Sequence, residues 1–227
     1  MTEVDPFVPK SEATIGKGII ASLSECIARN RLKGVRLASQ ESVTILIHKP
    51  KVQEKLFFLI SGMLVSIPMT LVLNIFPDYL LTFLSSANAA LVSTVLLAPF
   101  IEEFSKAFPL FYRHAETERS IFTLGFYVGI GFGIVELVEY VVLLQAPLVA
   151  RLPLMFFHGC STSITAYGIA KKQTFAYYLI AVGLHFSNNL FAELGPVWYV
   201  AGPAFILLAY FLSWFLYGKT KERMIPL

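Results

Sequence analysis

Between Leu56 and Tyr217 the chain is a succession of apolar runs broken by short polar turns. Each run is long enough to cross about 30 Å of hydrocarbon at the helical rise of about 1.5 Å per residue. Six can be placed, at Leu56–Phe76, Asn88–Tyr112, Ser120–Leu144, Leu152–Ala170, Thr174–Phe191 and Trp198–Tyr217. Tyr79 to Leu84 is apolar but too short for a span, and is expected in the outer interface. With 56% hydrophobic residues and a mean hydropathy of +0.67, the chain is too apolar for an ordinary soluble domain. The fold expected is all-α: a polytopic membrane protein of about six transmembrane helices.

Basic residues fall on alternate connections. They occupy the segment before the first span, then Arg113 and Arg119, then Lys171 and Lys172, then Lys219, Lys221 and Arg223. The intervening connections carry Asp78, a lone Arg151 and Glu193. The positive-inside rule then puts both termini in the cytoplasm and the protein in the cell membrane. Residues 1–54 read as a cytoplasmic basic segment, 55–218 as the membrane domain and 219–227 as a cytoplasmic basic tail. Ile19, Ile20, Leu23, Cys26 and Ile27 recur at helical spacing, which predicts a short amphipathic helix suited to an anionic leaflet. Glu41 to His48 alternates like a short strand. Cys26 and Cys160 lie in different environments and are not expected to pair. Met1–Glu54 lacks the apolar core and small-residue cleavage site of a signal peptide.

Ionisable groups inside such spans are costly and functional by default. Glu102 and Glu103 interrupt the second span, and Lys106 stands four residues after Glu102, the favourable orientation for a helical ion pair. Pro99 removes a backbone donor one turn before Glu103 and should disturb the helix there. The third span carries Gly125, Gly129 and Gly133 at four-residue intervals, a ridge that lets helices approach closely, and leads into Glu136 and Glu139. The fourth span holds His158, and the fifth holds His185 and Asn189.

Helical hairpins let these depths be compared. The midpoint of Glu103 and Glu136 falls between Arg119 and Ser120, and that of His158 and His185 between Lys171 and Lys172, both inside predicted turns. Each pair is therefore level in its own hairpin. Glu103 lies about 24 Å and His158 about 20 Å from its turn, so four helices contribute polar groups to one layer. That layer is nearer the outer face, because His158 is only about 10 Å along the helix from Arg151. Carboxylates, imidazoles and an amide in a partly dry pocket are suited to activating water. A desolvated glutamate serves as general base, with histidine and the Asn189 amide donating to the oxyanion. The same groups also suit Zn²⁺, through His158, His185 and a glutamate, Glu136 or Glu103. A His-Glu-x-x-His pair is missing, the spans contain no Asp, and Ser161 lies three residues from His158 on the same helix and is not poised against it as nucleophile to base.

Glu102-Glu103-Phe104-Ser105-Lys106 resembles the EExxK motif of the PrsW family of intramembrane proteases. Gly125-x-x-x-Gly129-x-Gly131-Phe132-x-x-x-Glu136 resembles its glycine-rich FxxxE motif, with Leu137 where many members have Asn. Arg151 followed by His158, and His185-x-x-x-Asn189, resemble its third and fourth motifs. The resemblance implies a four-helix catalytic core shared with the CAAX-prenyl endopeptidase superfamily. It implies an endopeptidase with Glu102, Glu103, Glu136, His158, His185 and Asn189 as catalytic residues, supported by Lys106, Phe132 and Arg151. A membrane-embedded or membrane-proximal substrate, such as an anti-sigma-factor-like regulator, is implied too. The partners expected are that substrate and the lipid bilayer, with no nucleic acid. Two other readings stay open on the residues alone: a non-catalytic scaffold of the same superfamily, and a proton-coupled transporter.

Overall fold

The computed structural model describes residues 49–112 and 117–223. The amphipathic helix expected around Ile19–Ile27, the stretch 41–48 and Arg113 lie outside the described residues. Among the described residues there are six long helices and no strand: α1 (Val52–Leu81), α2 (Ser86–Tyr112), α3 (Glu118–Leu143), α4 (Leu148–Ala170), α5 (Thr174–Glu193) and α6 (Trp198–Lys219). Four of them, α1, α2, α3 and α6, are long and apolar enough to cross a membrane. Their large apolar side chains that the protein leaves exposed, such as Leu64, Leu71, Leu143, Leu207 and Trp214, are what a bilayer requires.

The first span is longer than its apolar run, and takes in the start of the stretch from Tyr79. α1 continues through Pro77 as far as Leu81. A proline inside a helix forfeits one backbone hydrogen bond, whereas stopping earlier in lipid would expose a whole turn of unpaired groups. α4 and α5 are long, at 23 and 20 residues, but more polar. The reason is visible in α4, where fourteen of the 23 residues are buried, among them Ser161, Thr162, Ser163 and Thr165. Its surroundings are other helices, so it needs no continuous apolar face. Phe122, Phe157, Ile164, Leu184 and Ile206 form the apolar core between α3, α4, α5 and α6. A second cluster, Phe58, Leu124, Val128 and Ala166, joins α1 to α3 and α4.

Close helix contact depends on glycine, and along α3 most severely at Gly129 and Gly131. A Cβ on Gly129 would fall on the backbone carbonyl of His158, and one on Gly131 would fall on that of Leu59. The ridge along α3 therefore seats α4 on one side and, through Gly131, α1 on the other. Gly129→Ala should destabilise the fold by about 1–3 kcal/mol, because backbone cannot yield as a side-chain end can. Thermal unfolding of the detergent-solubilised protein measures this, and an unchanged midpoint would contradict the packing described.

The opposite end of the bundle from the α3–α4 connection is tied by one carboxylate. Thr117 caps α3, its Oγ1 accepting from the Ser120 N–H at 3.1 Å. Next to it, the buried Glu118 accepts from Lys171 Nζ at 2.6 Å, from the Lys221 N–H at 3.1 Å and from Arg223 at 2.9 Å. These bonds fasten the chain after α6 to the start of α3 and to the α4–α5 turn. A buried carboxylate is tolerated because its charge is met by cations and backbone donors.

Candidate active site

Six ionisable side chains from four helices meet near the middle of the bundle. They are Glu102, Glu103 and Lys106 of α2, Glu136 of α3, His158 of α4 and His185 of α5. The layer inferred from hairpin spacing thus corresponds to a set of direct contacts.

The ion pair inside it differs from the expected one. Lys106 pairs with Glu103 at 2.6 Å, three residues away, and not with Glu102. Both side chains are fully buried. Adjacent helical residues point about 100° apart, so turning Glu103 toward α4 and α5 leaves Glu102 on a different face, beside the cavity. The disturbance expected at Pro99 is also more specific than a kink. Val92–Leu97 forms a π-helical turn, and Pro99 follows as the second residue of the next α-helical stretch.

The Glu103–Lys106 pair stands behind both histidines and fixes their rings. The Nδ1 of His185 lies 3.0 Å from Glu103 Oε1, and a carboxylate accepts, so Nδ1 carries the proton. The free lone pair of His185 is then on Nε2, which lies 3.8 Å from Glu102 Oε2. Around His158 the roles reverse. Lys106 Nζ is 2.9 Å from its Nδ1, and an ammonium group only donates. In the neutral ring the proton is therefore on Nε2, which contacts Glu136 Oε2. Phe132 packs beneath, with Lys106 Nζ 4.8 Å from its ring centroid and the His158 ring at 5.3 Å. Ser161, set aside as a nucleophile, lies 3.1 Å from both Glu103 Oε1 and the His158 carbonyl, and its single O–H is shared between these two acceptors. It is part of the frame.

A cavity of about 670 Å³ opens onto this cluster, with Glu102, Glu136, His158 and His185 in its wall. Its far rim includes Ala146, Pro147, Arg151 and Glu193, at the end of the bundle away from Glu118 and Lys171. Arg151 lies over the Tyr140 ring, 3.5 Å from its centroid, and forms part of the cavity wall. Asn189 lines the cavity too, but its Nδ2 donates to the Thr94 carbonyl in the π-helical turn at 3.0 Å, joining α5 to α2. Asn188, which sequence reasoning passed over, is the more deeply buried of the two amides.

Among the described residues, the compact group able to hold a metal ion is Glu102, His158 and His185, whose ligand atoms lie within 4.8 Å of one another. The glutamate is Glu102, where Glu136 or Glu103 was expected. Glu103 is already engaged by Lys106, His185 and Ser161, and Glu136 by His158. The Oε2 oxygens of all three glutamates are buried without a hydrogen-bond partner, but only Glu102 groups closely with both imidazoles, its Oε2 lying 3.8 Å from the free Nε2 of His185. Two imidazoles and a carboxylate match the ligand preferences of Zn²⁺, and Glu103 behind His185 is the outer carboxylate such sites use. The residues present fit a metal.

A family model described as PrsW family intramembrane metalloprotease matches residues 52–217. No curated protein and no solved structure matches the chain.

Proposed function

This chain belongs to the PrsW family of intramembrane metalloproteases, and we propose that it cuts a single-span or membrane-proximal protein near the outer face of the membrane. Such a substrate includes a regulator of the anti-sigma-factor kind. One observation carries the reading: two carboxylates and two imidazoles from four helices share the wall of one cavity.

Glu102, His158 and His185 would hold the ion. The chemistry such an ion supplies is Lewis-acid polarisation of the scissile carbonyl. His158 would offer Nε2 as a ligand once the proton there has passed through Glu136, in contact with that nitrogen, to solvent in the cavity, which leaves Glu136 a carboxylate again. As a carboxylate, Glu136 then takes a proton from the attacking water and returns it to the leaving amide nitrogen. Water oxygen bonds to the acyl carbon, the C–N bond breaks, and the proton ends on the new amine. Glu103 and Lys106 orient the rings and stay out of the exchange. Arg151, stacked on Tyr140, limits the cavity on its outer side.

The side of cleavage follows from charge. Arg119, Lys171, Lys172, Lys219 and Lys221 lie at the end tied by Glu118, which the positive-inside rule makes cytoplasmic. The cavity rim at Pro147 and Glu193 then faces outward. Quantitative proteomics of membranes from cells making the wild type or Glu136→Gln should show one single-span protein accumulating with the variant. Mass spectrometry of its wild-type fragment should place the new terminus in the outer third of that span, or just beyond it. A cut at the cytoplasmic border would overturn the orientation, and an unchanged membrane proteome would overturn the protease assignment.

A further inference from the structure

We propose that the side-chain oxygen of Asn188 accepts a hydrogen bond from a backbone N–H of the substrate, within one or two residues of the scissile bond. The proposal rests on the protease reading and names the group that holds the peptide.

The orientation of the Asn188 amide is fixed by a short relay. Asn189 Nδ2 meets the Thr94 carbonyl at 3.0 Å, and because a carbonyl only accepts, that end of the Asn189 amide must be nitrogen. Its oxygen is left to face Asn188, whose Nδ2 lies 3.4 Å away. Asn188 Oδ1 is thereby turned from its neighbour. Asn188 is only 5% exposed and lines the cavity, and its Oδ1 has no hydrogen-bond partner. Leaving a buried amide oxygen unpaired costs about 1–3 kcal/mol, a cost that a ligand donor recovers.

A substrate span supplies the donor. Cleavage requires its helix to unwind locally, which frees backbone N–H groups that need acceptors inside the cavity. An acceptor in the cavity offsets that cost at one position, whereas another donor would not. Ser93, Thr94 and Ala98, which line the same cavity, are small residues, so an extended backbone can come close. Asn188 stands one helical turn beyond His185, about 4.5 Å along the axis. An extended peptide advances about 3.3 Å per residue, which sets the accepted N–H next to the reacting carbonyl or one residue further.

The test uses the full chain in detergent and a short internally quenched peptide of alanine, serine and valine. Each backbone amide near its cut is replaced in turn by an ester, which removes one N–H. With the wild type, the ester at one position should raise KM about fivefold to tenfold with kcat little changed. Asn188→Leu should raise KM for the all-amide peptide by the same factor and be indifferent to that ester. A wild-type scan in which no ester position costs more than about twofold overturns the proposal without reliance on any variant. So does an ester penalty that persists undiminished in Asn188→Leu. Binding of the same peptides to Glu136→Gln, followed by fluorescence anisotropy, separates the two readings. An ester penalty in binding that Asn188→Leu abolishes, with no cleavage by the wild type, would sink the protease assignment and leave the acceptor standing. Cleavage with no dependence on Asn188 would do the reverse.

Discussion

Glu136→Gln should lower cleavage by about 10²–10⁴-fold, the range for removing a positioned general base, while leaving unchanged the metal content expected of Glu102, His158 and His185. The ring of His158 is still held from behind by Lys106 at Nδ1, but the glutamine side chain no longer takes a proton from water. His185→Ala should lose activity and metal together, since it removes one of the three ligands that lie within 4.8 Å. Elemental analysis of the purified variants beside their turnover of one substrate makes the distinction. A Glu136→Gln protein with activity within about tenfold of wild type would remove Glu136 from the chemistry. Full activity in metal-free wild-type protein that resists chelators would instead assign water activation to glutamate alone, with Glu102 the free carboxylate beside His185.

The depth of these residues was legible in the sequence, and their facing was not. Depth follows from counting along helices joined by short turns, which is why Glu103, Glu136, His158 and His185 were placed in one layer before any contact was known. Facing depends on how each helix is rotated, and a step of one residue turns a side chain by about 100°. That is why spacing points Lys106 to Glu102 although it pairs with Glu103. It is also why Asn189 drew notice while Asn188 holds the more buried position. The π-helical turn at Val92–Leu97 shifts the rotation of everything after it, and nothing in the apolar run Leu91–Leu97 announces it apart from Pro99. The bonds of Glu118 to Lys221 and Arg223 were invisible for another reason. They join residues more than a hundred positions apart, and a basic tail reads as solvated until the carboxylate that receives it is located.

Lys106→Met should destabilise the protein by about 3–5 kcal/mol, because it leaves the Glu103 charge buried without a cation. Sequence spacing alone offers this lysine as a helical ion-pair partner of Glu102. Complete burial of both members makes it a structural requirement. The double variant Lys106→Met with Glu103→Gln removes both charges, and the amide can still accept from His185 Nδ1 and Ser161, as Glu103 does. It should recover most of the lost stability, giving a coupling well above that of an exposed ion pair. Activity should not return with stability. His158 Nδ1 loses its ammonium donor, so the ring is free to carry its proton on either nitrogen and Nε2 is no longer fixed toward Glu136. Thermal unfolding of the wild type, both single variants and the double variant closes the cycle, with turnover measured on the same samples. Additive stability losses would mean that the pair is not coupled as the 2.6 Å contact requires. A double variant as active as the wild type would mean that neither residue orients the histidines.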